Sequence, residues 1–252
     1  MTDVTRGDVC VVACADVWRD DGEIVVSPMG TVPSIGARLA RATFAPDLML
    51  SDGEATLVAG TWPVGAPPTG PAEAWMPFRS VFDLVWHGKR HVMMGPSQLD
   101  RYGNANISAI GDFDRPTRQL LGVRGAPGNT VNHPTSYWVP KHTARAFVPR
   151  VDMISGVGYD SAAKAGPAAS RFLDLRRVVT NLAVMDFGGP EHAMRLVSVH
   201  PGVTLDEVRS QTGFEFDSSA VDTTRLPTDD ELRLLREVID PRSTRDREVP
   251  PQ

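Results

Sequence analysis

Apolar positions along the first sixty residues fall in blocks whose periods differ. "VTRGDVCVVACADVWRD" stays apolar over more than ten positions from near Thr5, which predicts a helix. "EIVVS" is short and β-branched and is closed by Pro28 and Gly30, which predicts a strand. "VPSIGARLARATF" spaces Ile35, Leu39, Ala42 and Phe44 along one helical face, with Pro33 near its start. "LMLS" is a second buried strand. Strand, helix and strand in succession predict a βαβ crossover with its two strands parallel.

Breakers then interrupt the pattern. "TWPVGAPPTGPAEAWMPF", in a stretch from about residue 60 to 78, reads as a surface loop or flap. A helix ("FRSVFDLVWHG") and a strand ("RHVMMG") follow. From Asn106 the blocks shorten to strands with tight turns: "NISAIG", "RQLLGVRG", "RAFVPRVDMIS", "RRVVTNLAVMDF" and "MRLVSVHPG". "TLDEVRSQTG" and "TDDELRLLREVID" read as helices, and Asp229 and Asp230 suit the N-terminus of the second. From about residue 241, "PRSTRDREVPPQ" reads as a tail that is frayed or docked on a partner.

Composition narrows the function without naming it. The chain has 252 residues, 41% of them hydrophobic, and a net charge of −5. That balance suits a globular α/β protein and argues against nucleic acid, whose binders usually carry a basic face. No basic-then-apolar leader opens the sequence and no apolar run reaches the length of a membrane span, so a cytoplasmic protein without a membrane partner is expected. Cys10 and Cys14 stand four apart without a matching His pair, which suits two free thiols and no metal site.

Three polar segments carry candidate chemistry. In "MGPSQLDRYGNANIS", Gln98, Asp100, Gly103, Asn104, Asn106 and Ser108 crowd the exit of an apolar strand, where α/β sheets place their clefts. The plainer reading is an Asn/Gly turn that bonds its own backbone. In "GVRGAPGNTVNHPTSYW", glycines at 122, 125 and 128 allow close approach to a ligand, and Arg124, Gly125, Gly128 and Asn129 form an amide-rich loop suited to an oxyanion. His133 follows, more often a structural hydrogen-bonder than a base. Glu191 and His192 in "MDFGGPEHAMR" read first as a hairpin tip. A fourth segment, "LMLSDGE", ends an apolar strand in Ser51, Asp52, Gly53 and Glu54, where an enzyme can keep a nucleophile.

"VSPMGTVPSIGARLARATFAPDLMLSDGE", "GPSQLDRYGNANIS", "VRGAPGNTVNHPTSYW" and "HPGVTLDEVRSQTGFEF" together resemble the β subunits of family I coenzyme A transferases, near the glutaconate type. The likeness runs from about residue 5 to 240, and its Q-x-D-x-x-G-N-x-N and H-P-G-V-T segments are specific to the family. Within the family the wording is closest to actinobacterial hydrolases that open a ring of a cholesterol-derived CoA thioester. The resemblance implies an open α/β sheet of the NagB/RpiA-like type, a single domain over residues 1–252 with flanking helices. It also implies an α-subunit partner, an α2β2 assembly, and coenzyme A as part of the substrate with no permanently bound cofactor.

Transferases of this family form their covalent link on a glutamate at the end of the "LMLS" strand. Laying "SDG" on the family's E-N-G puts Ser51 at that glutamate, a shift of one puts Asp52 there, and Glu54 fits neither register without a gap. A carboxylate one methylene short retreats by about an ångström, enough to cost about a hundredfold. With the nucleophile absent, the resemblance implies a hydrolytic carbon–carbon cleavage whose principal base, a glutamate, sits on the α subunit. Ser51, Asp52, Glu54, Asn104 and Asn106 would then support catalysis. Gln98, Asp100, Gly103, Ser108, Arg124, Gly125, Gly128, Asn129 and His133 would contact substrate or CoA. A CoA-transferase using Glu54 or Asp52, and a scaffold subunit without catalysis, remain as alternatives.

Overall fold

The computed structural model describes residues 4–51 and 55–250. They gather in two compact units, one of residues 1–93 with 225–252 and one of residues 94–224. Asp52 and Glu54 lie outside the described residues. Among the described residues no helix is long and apolar enough to cross a membrane.

The first unit is built on two packed helices, α1 (Arg6–Asp16) and α2 (Thr31–Ala42). Helix α1 starts where Thr5 and Asp8 cap each other: the Asp8 amide donates to Thr5 Oγ1 (3.2 Å) and the Thr5 amide to Asp8 Oδ2 (3.1 Å). It is buried on nearly every side, including both cysteines, as suits a helix apolar all round. Burial pushes the Cys10 thiol up to about 12, so it stays protonated and inert. Helix α2 approaches α1 through Gly36: a β-carbon there would lie 2.8 Å from Cys14 Cβ and 2.9 Å from the Ala15 amide.

Strands β1 (Val25–Pro28) and β4 (Arg90–Met94) pair in parallel, and Met49 bridges Val25 in parallel on the other side. The expected βαβ connection is present, with "LMLS" reduced to isolated bridges at Met49 and Ser51. The Pro/Gly-rich stretch is not wholly loop. β2 (Thr56–Val58) and β3 (Ala72–Trp75) form an antiparallel hairpin, because the breakers fall in the connection and leave "AEAW" free to pair. Helix α3 (Phe78–His87) follows.

The C-terminal segment docks on its own chain. Helix α8 (Asp229–Arg233) begins at a capping box between Thr228 and Glu231 and runs into a π-helical turn, Leu234–Ile239. Beyond it, Arg245, 4% exposed, bonds Asp8 and Asp240, both at 2.8 Å, while Arg236 reaches Asp8 at 2.6 Å. Burial alone would raise the Asp240 carboxyl, but hydrogen bonds from Thr244 and Arg245 hold it below its usual range. The Glu248 carboxylate accepts from the Thr31 and Val32 amides at 2.7 and 3.1 Å and so caps α2, whose own N-cap, Gly30, has no side chain to do so. Three carboxylate–guanidinium contacts, two of them buried, and a helix cap hold the described part of this segment on its own chain.

In the second unit, β9 (Pro134–Val139), β10 (Asp174–Thr180), β11 (Ala183–Asp186), β12 (Arg195–Val199) and β13 (Asp222–Thr223) lie side by side in that order. β9–β10 and β12–β13 are parallel, and the two pairs between them antiparallel. Two small hairpins precede them: β5 (Gln98–Leu99) with β6 (Ala105–Asn106), and β7 (Ala109–Gly111) with β8 (Pro116–Gln119). "RAFVPRVDMIS" is not a strand. The Ala146 and Phe147 amides turn back to the Thr143 carbonyl, Pro149 offers no donor, and one bridge, Leu99 to Phe147, remains.

Short helices complete the unit: α4 (Ala126–Asn132), α5 (Tyr159–Ala165), α6 (Pro167–Ser170) and α7 (Leu205–Ser210), the last capped by Thr204. In "HPGVT", His200 is buried and its Nε2 donates to the Thr180 carbonyl at 2.8 Å, pinning the end of β12 to the β10–β11 turn. That segment is scaffold.

Candidate active site

The Q-x-D-x-x-G-N-x-N segment folds into a tight antiparallel pair, β5 and β6, around Gly103, whose φ of +84° a side chain would strain. That turn throws Gln98, Asp100, Asn104 and Asn106 together, all buried. Both amide hydrogens of Asn104 are committed, one to Asp100 Oδ2 at 2.9 Å and one to Asp160 Oδ1 at 2.8 Å, and its oxygen accepts from the Gly158 amide at 2.8 Å. Those of Asn106 go to Gln98 Oε1 and the Ala109 carbonyl, both at 2.7 Å, and its oxygen accepts from the Ser108 amide. Gln98 Nε2 donates to Asp152 Oδ2 at 2.9 Å, and the Ser108 and Ser155 hydroxyls lie 2.7 Å apart. The packing tolerates no intruder: a β-carbon on Gly158 would lie 2.4 Å from both the Asn104 amide and the Tyr102 carbonyl oxygen.

Two carboxylates flank the Asn104 amide and titrate in opposite directions. Burial raises Asp100 despite hydrogen bonds from Asn104 and Tyr102, and nearby Asp160 adds repulsion. Burial also works to raise Asp160, but hydrogen bonds from Asn104 and Lys164 outweigh it and lower its carboxyl. Asp160 opens on a cavity of about 820 Å³ with Tyr102, Tyr159, Glu191 and His192 among its walls. Glu191 and His192, singled out as a hairpin tip, hold φ of +54° and +60°, and His192 stacks on Tyr159 at 4.3 Å.

The glycine-rich stretch differs from expectation. Pro127 starts a helix here instead of breaking one, and the Asn129 amide donates to the Gly125 carbonyl at 2.9 Å within α4. Its backbone is therefore not an open amide loop. Arg124 stands exposed at φ +50°, Gly125 and Gly128 are half-buried, and Asn129 and His133 are buried. The Asn129 side chain points at Met94 Sδ, 3.6 Å away.

In the first unit, Ser51 lies at the carboxyl end of β1 and "LMLS", in a cavity of about 230 Å³ lined also by Ser27, Met29, Ser34, Arg38 and Leu50. Among the described residues the walls carry no histidine to activate a hydroxyl. They do carry a cation. Arg38 donates to the Trp62 and Ser34 carbonyls at 3.2 and 3.0 Å, and its guanidinium lies over the Trp62 ring at 4.6 Å. Burial lowers it only to about 10, so it stays charged at neutral pH. No ion pair joins it to a carboxylate among the described residues. A charge half-withdrawn from water, with no counter-charge among the described residues, can attract an anion. Sequence reading passed over Arg38. Its signal was weak: Arg38 lies four residues after Ser34 on the polar side of α2, beside Arg41, where a charge reads as solvated. Among the described residues no group of His, Cys, Asp or Glu is arranged to hold a metal ion.

The coenzyme A transferase family model matches residues 80–211, and the chain belongs to that family. It is 59% identical over 250 residues to the cholesterol ring-cleaving hydrolase IpdB subunit of Rhodococcus jostii, covering 99% of this chain and 98% of that one. The crystal structure of Rhodococcus jostii RHA1 IpdAB matches with a TM-score of 0.94 at 59% identity, over 98% of this chain and 99% of the other. Glutaconate coenzyme A-transferase from Acidaminococcus fermentans shares the fold: TM-score 0.79 at 23% identity, over 95% and 97% of the two chains.

Proposed function

We propose that this chain is the β subunit of a heteromeric hydrolase that cleaves a carbon–carbon bond in a ring of a steroid-derived CoA thioester. The observation that carries the reading is the 59% identity across 99% of the chain to the ring-cleaving IpdB subunit. The residue at the end of the "LMLS" strand supports it. Ser51 lies in a cavity whose described walls hold no histidine, a setting in which a hydroxyl is a poor nucleophile.

The chemistry then needs water. A base, a glutamate on the α subunit in this reading, takes a proton from water as its oxygen adds to the ring ketone. The tetrahedral adduct collapses and the ring bond breaks. Its electron pair leaves as a carbanion stabilised by a neighbouring carbonyl, and a proton returns to that carbon. Arg38 offers fixed positive charge to the anion that develops or to a carboxylate of the substrate. Asn104, Asn106, Gln98, Asp100 and Ser108 act by holding the wall's shape, because their polar atoms bond one another. Coenzyme A arrives with the substrate, and no resident cofactor is required.

The test is turnover of a ring-intact CoA thioester by the co-expressed α and β chains in ¹⁸O-labelled water. One labelled oxygen in the new carboxylate is expected, with full activity after borohydride treatment during turnover. A borohydride-trapped adduct on residue 51, 52 or 54 would overturn the hydrolytic reading in favour of a CoA-transferase.

A further inference from the structure

Helix α3 carries more apolar surface than its own chain covers. At about 100° per residue, Leu84, Val81, Val85, Phe78, Phe82 and Trp86 occupy a continuous arc of about 200°. A helix that packs on one core needs roughly half of that. The chain uses one side of the arc: Val85 is buried and Val81 and Leu84 are half-buried. The other side is left in solvent, with Phe78, Phe82 and Trp86 exposed at 76%, 51% and 69%. Phe78 and Phe82 stack edge to face at 5.2 Å, so their rings form one continuous surface. Trp75, at the end of β3 just before the helix, is 77% exposed.

Trp and Phe side chains each present about 150–250 Å² when free, so these four leave about 550 Å² of aromatic surface open. That is the top of the range for the largest patch on a monomer. It is also about two-thirds of the 800 Å² that each partner contributes to a standard stable interface. Arg79, Asp83 and His87, also exposed, edge the patch with polar groups, and an aromatic centre inside a polar rim is the anatomy of a protein interface.

We infer that the Trp75–Phe78–Phe82–Trp86 face is the surface on which the α subunit docks, through an apolar helix or strand face of that partner. This inference rests on the heteromeric reading above. It adds the location of the contact and the side chains that make it.

The experiment is co-expression of the two chains, with the mass of the purified assembly measured by light scattering and α–β affinity by titration. For Phe82→Asp/Trp86→Asp the expected result is loss of the complex, with association weakened more than a hundredfold. An Asp206→Ala control, at an exposed position on α7, should stay within about threefold, and thermal melts of each β chain alone check that it folds. If the double variant melts early, Trp75→Ser, on the hairpin, replaces it with at least a tenfold weakening expected. An intact α–β complex with only a raised KM would assign the face to the substrate and overturn the inference. A fall from α2β2 to αβ would assign it to a second copy of this chain and overturn it equally. If the wild-type chains do not associate at all, the heteromeric reading itself fails, which separates the two outcomes.

Discussion

The Gln98–Asn106 cluster and helix α3 are opposites. In the cluster, polar side chains are buried and each finds its bonds within the chain: Asn104 alone links Asp100, Asp160 and Gly158. On α3, aromatic side chains are exposed, and of ten residues only Val85 is buried. Buried polar groups must be satisfied where they stand, or they cost on the order of 1–3 kcal/mol each. Exposed apolar groups carry no such local obligation and can wait for another surface. The first region therefore reports what this chain does for itself, and the second what it leaves to a partner.

The sharpest break in that contrast is Asn104→Ala. It strips hydrogen bonds from Asp100, Asp160 and the Gly158 amide at once, and chemical denaturation of the isolated chain should show a loss of about 2–4 kcal/mol. A loss below about 1 kcal/mol would mean the cluster is looser than its geometry.

A second interior residue tests the same idea through pH. His142 bonds Thr180 and Thr212 and stacks on Phe147 at 4.0 Å. Burial, helped by His200, lowers its pKa from 6.5 to about 3, so the fold accepts only the neutral ring. Between those values the unfolded chain binds a proton that the folded chain refuses, so stability is full above about pH 6.5 and falls as pH drops toward 3. Melting temperatures from pH 7 to pH 5 should fall by several degrees in the wild type, and His142→Gln should flatten that slope. An unchanged slope would remove His142 as the cause.

The smallest effect should come from the other region. Trp86→Ser removes a large ring yet should move the isolated chain's stability by no more than about 0.5 kcal/mol, because little of that ring is buried. A loss near 2 kcal/mol would show that the face is covered within the chain.

Helix starts in both units were legible because their signals are local. Thr5 with Asp8, Thr204, and Thr228 with Glu231 mark helix starts a few residues from the apolar blocks they open. "RRVVTNLAVMDF", read as one run, divides at Asn181 and Leu182 into the antiparallel strands β10 and β11. What failed depends on distant partners or on weak local preference. Asp152, Ser155 and Asp160 complete the polar cluster from about fifty residues away, and nothing in "RVDMIS" or "YDSAAKA" announces it. α4 and α5 are short and poor in large apolar side chains, so periodicity has little to register. The amphipathic character of α3 was visible in the sequence, but whether its outer face is covered is a property of the fold.

The salt-bridged knot of Asp8, Arg245 and Asp240 ties the start of the chain to its last residues. The first unit is therefore discontinuous, interrupted by the residues 94–224 of the second. On a ribosome adding about 5–20 residues per second, α1 is extruded on the order of ten seconds or more before Arg245 exists to neutralise Asp8. The inserted unit can close on itself while the enclosing one still waits for its final turn. Nascent chains should thus acquire structure from the middle outward, with the amino-terminal helices the last to become protease-resistant.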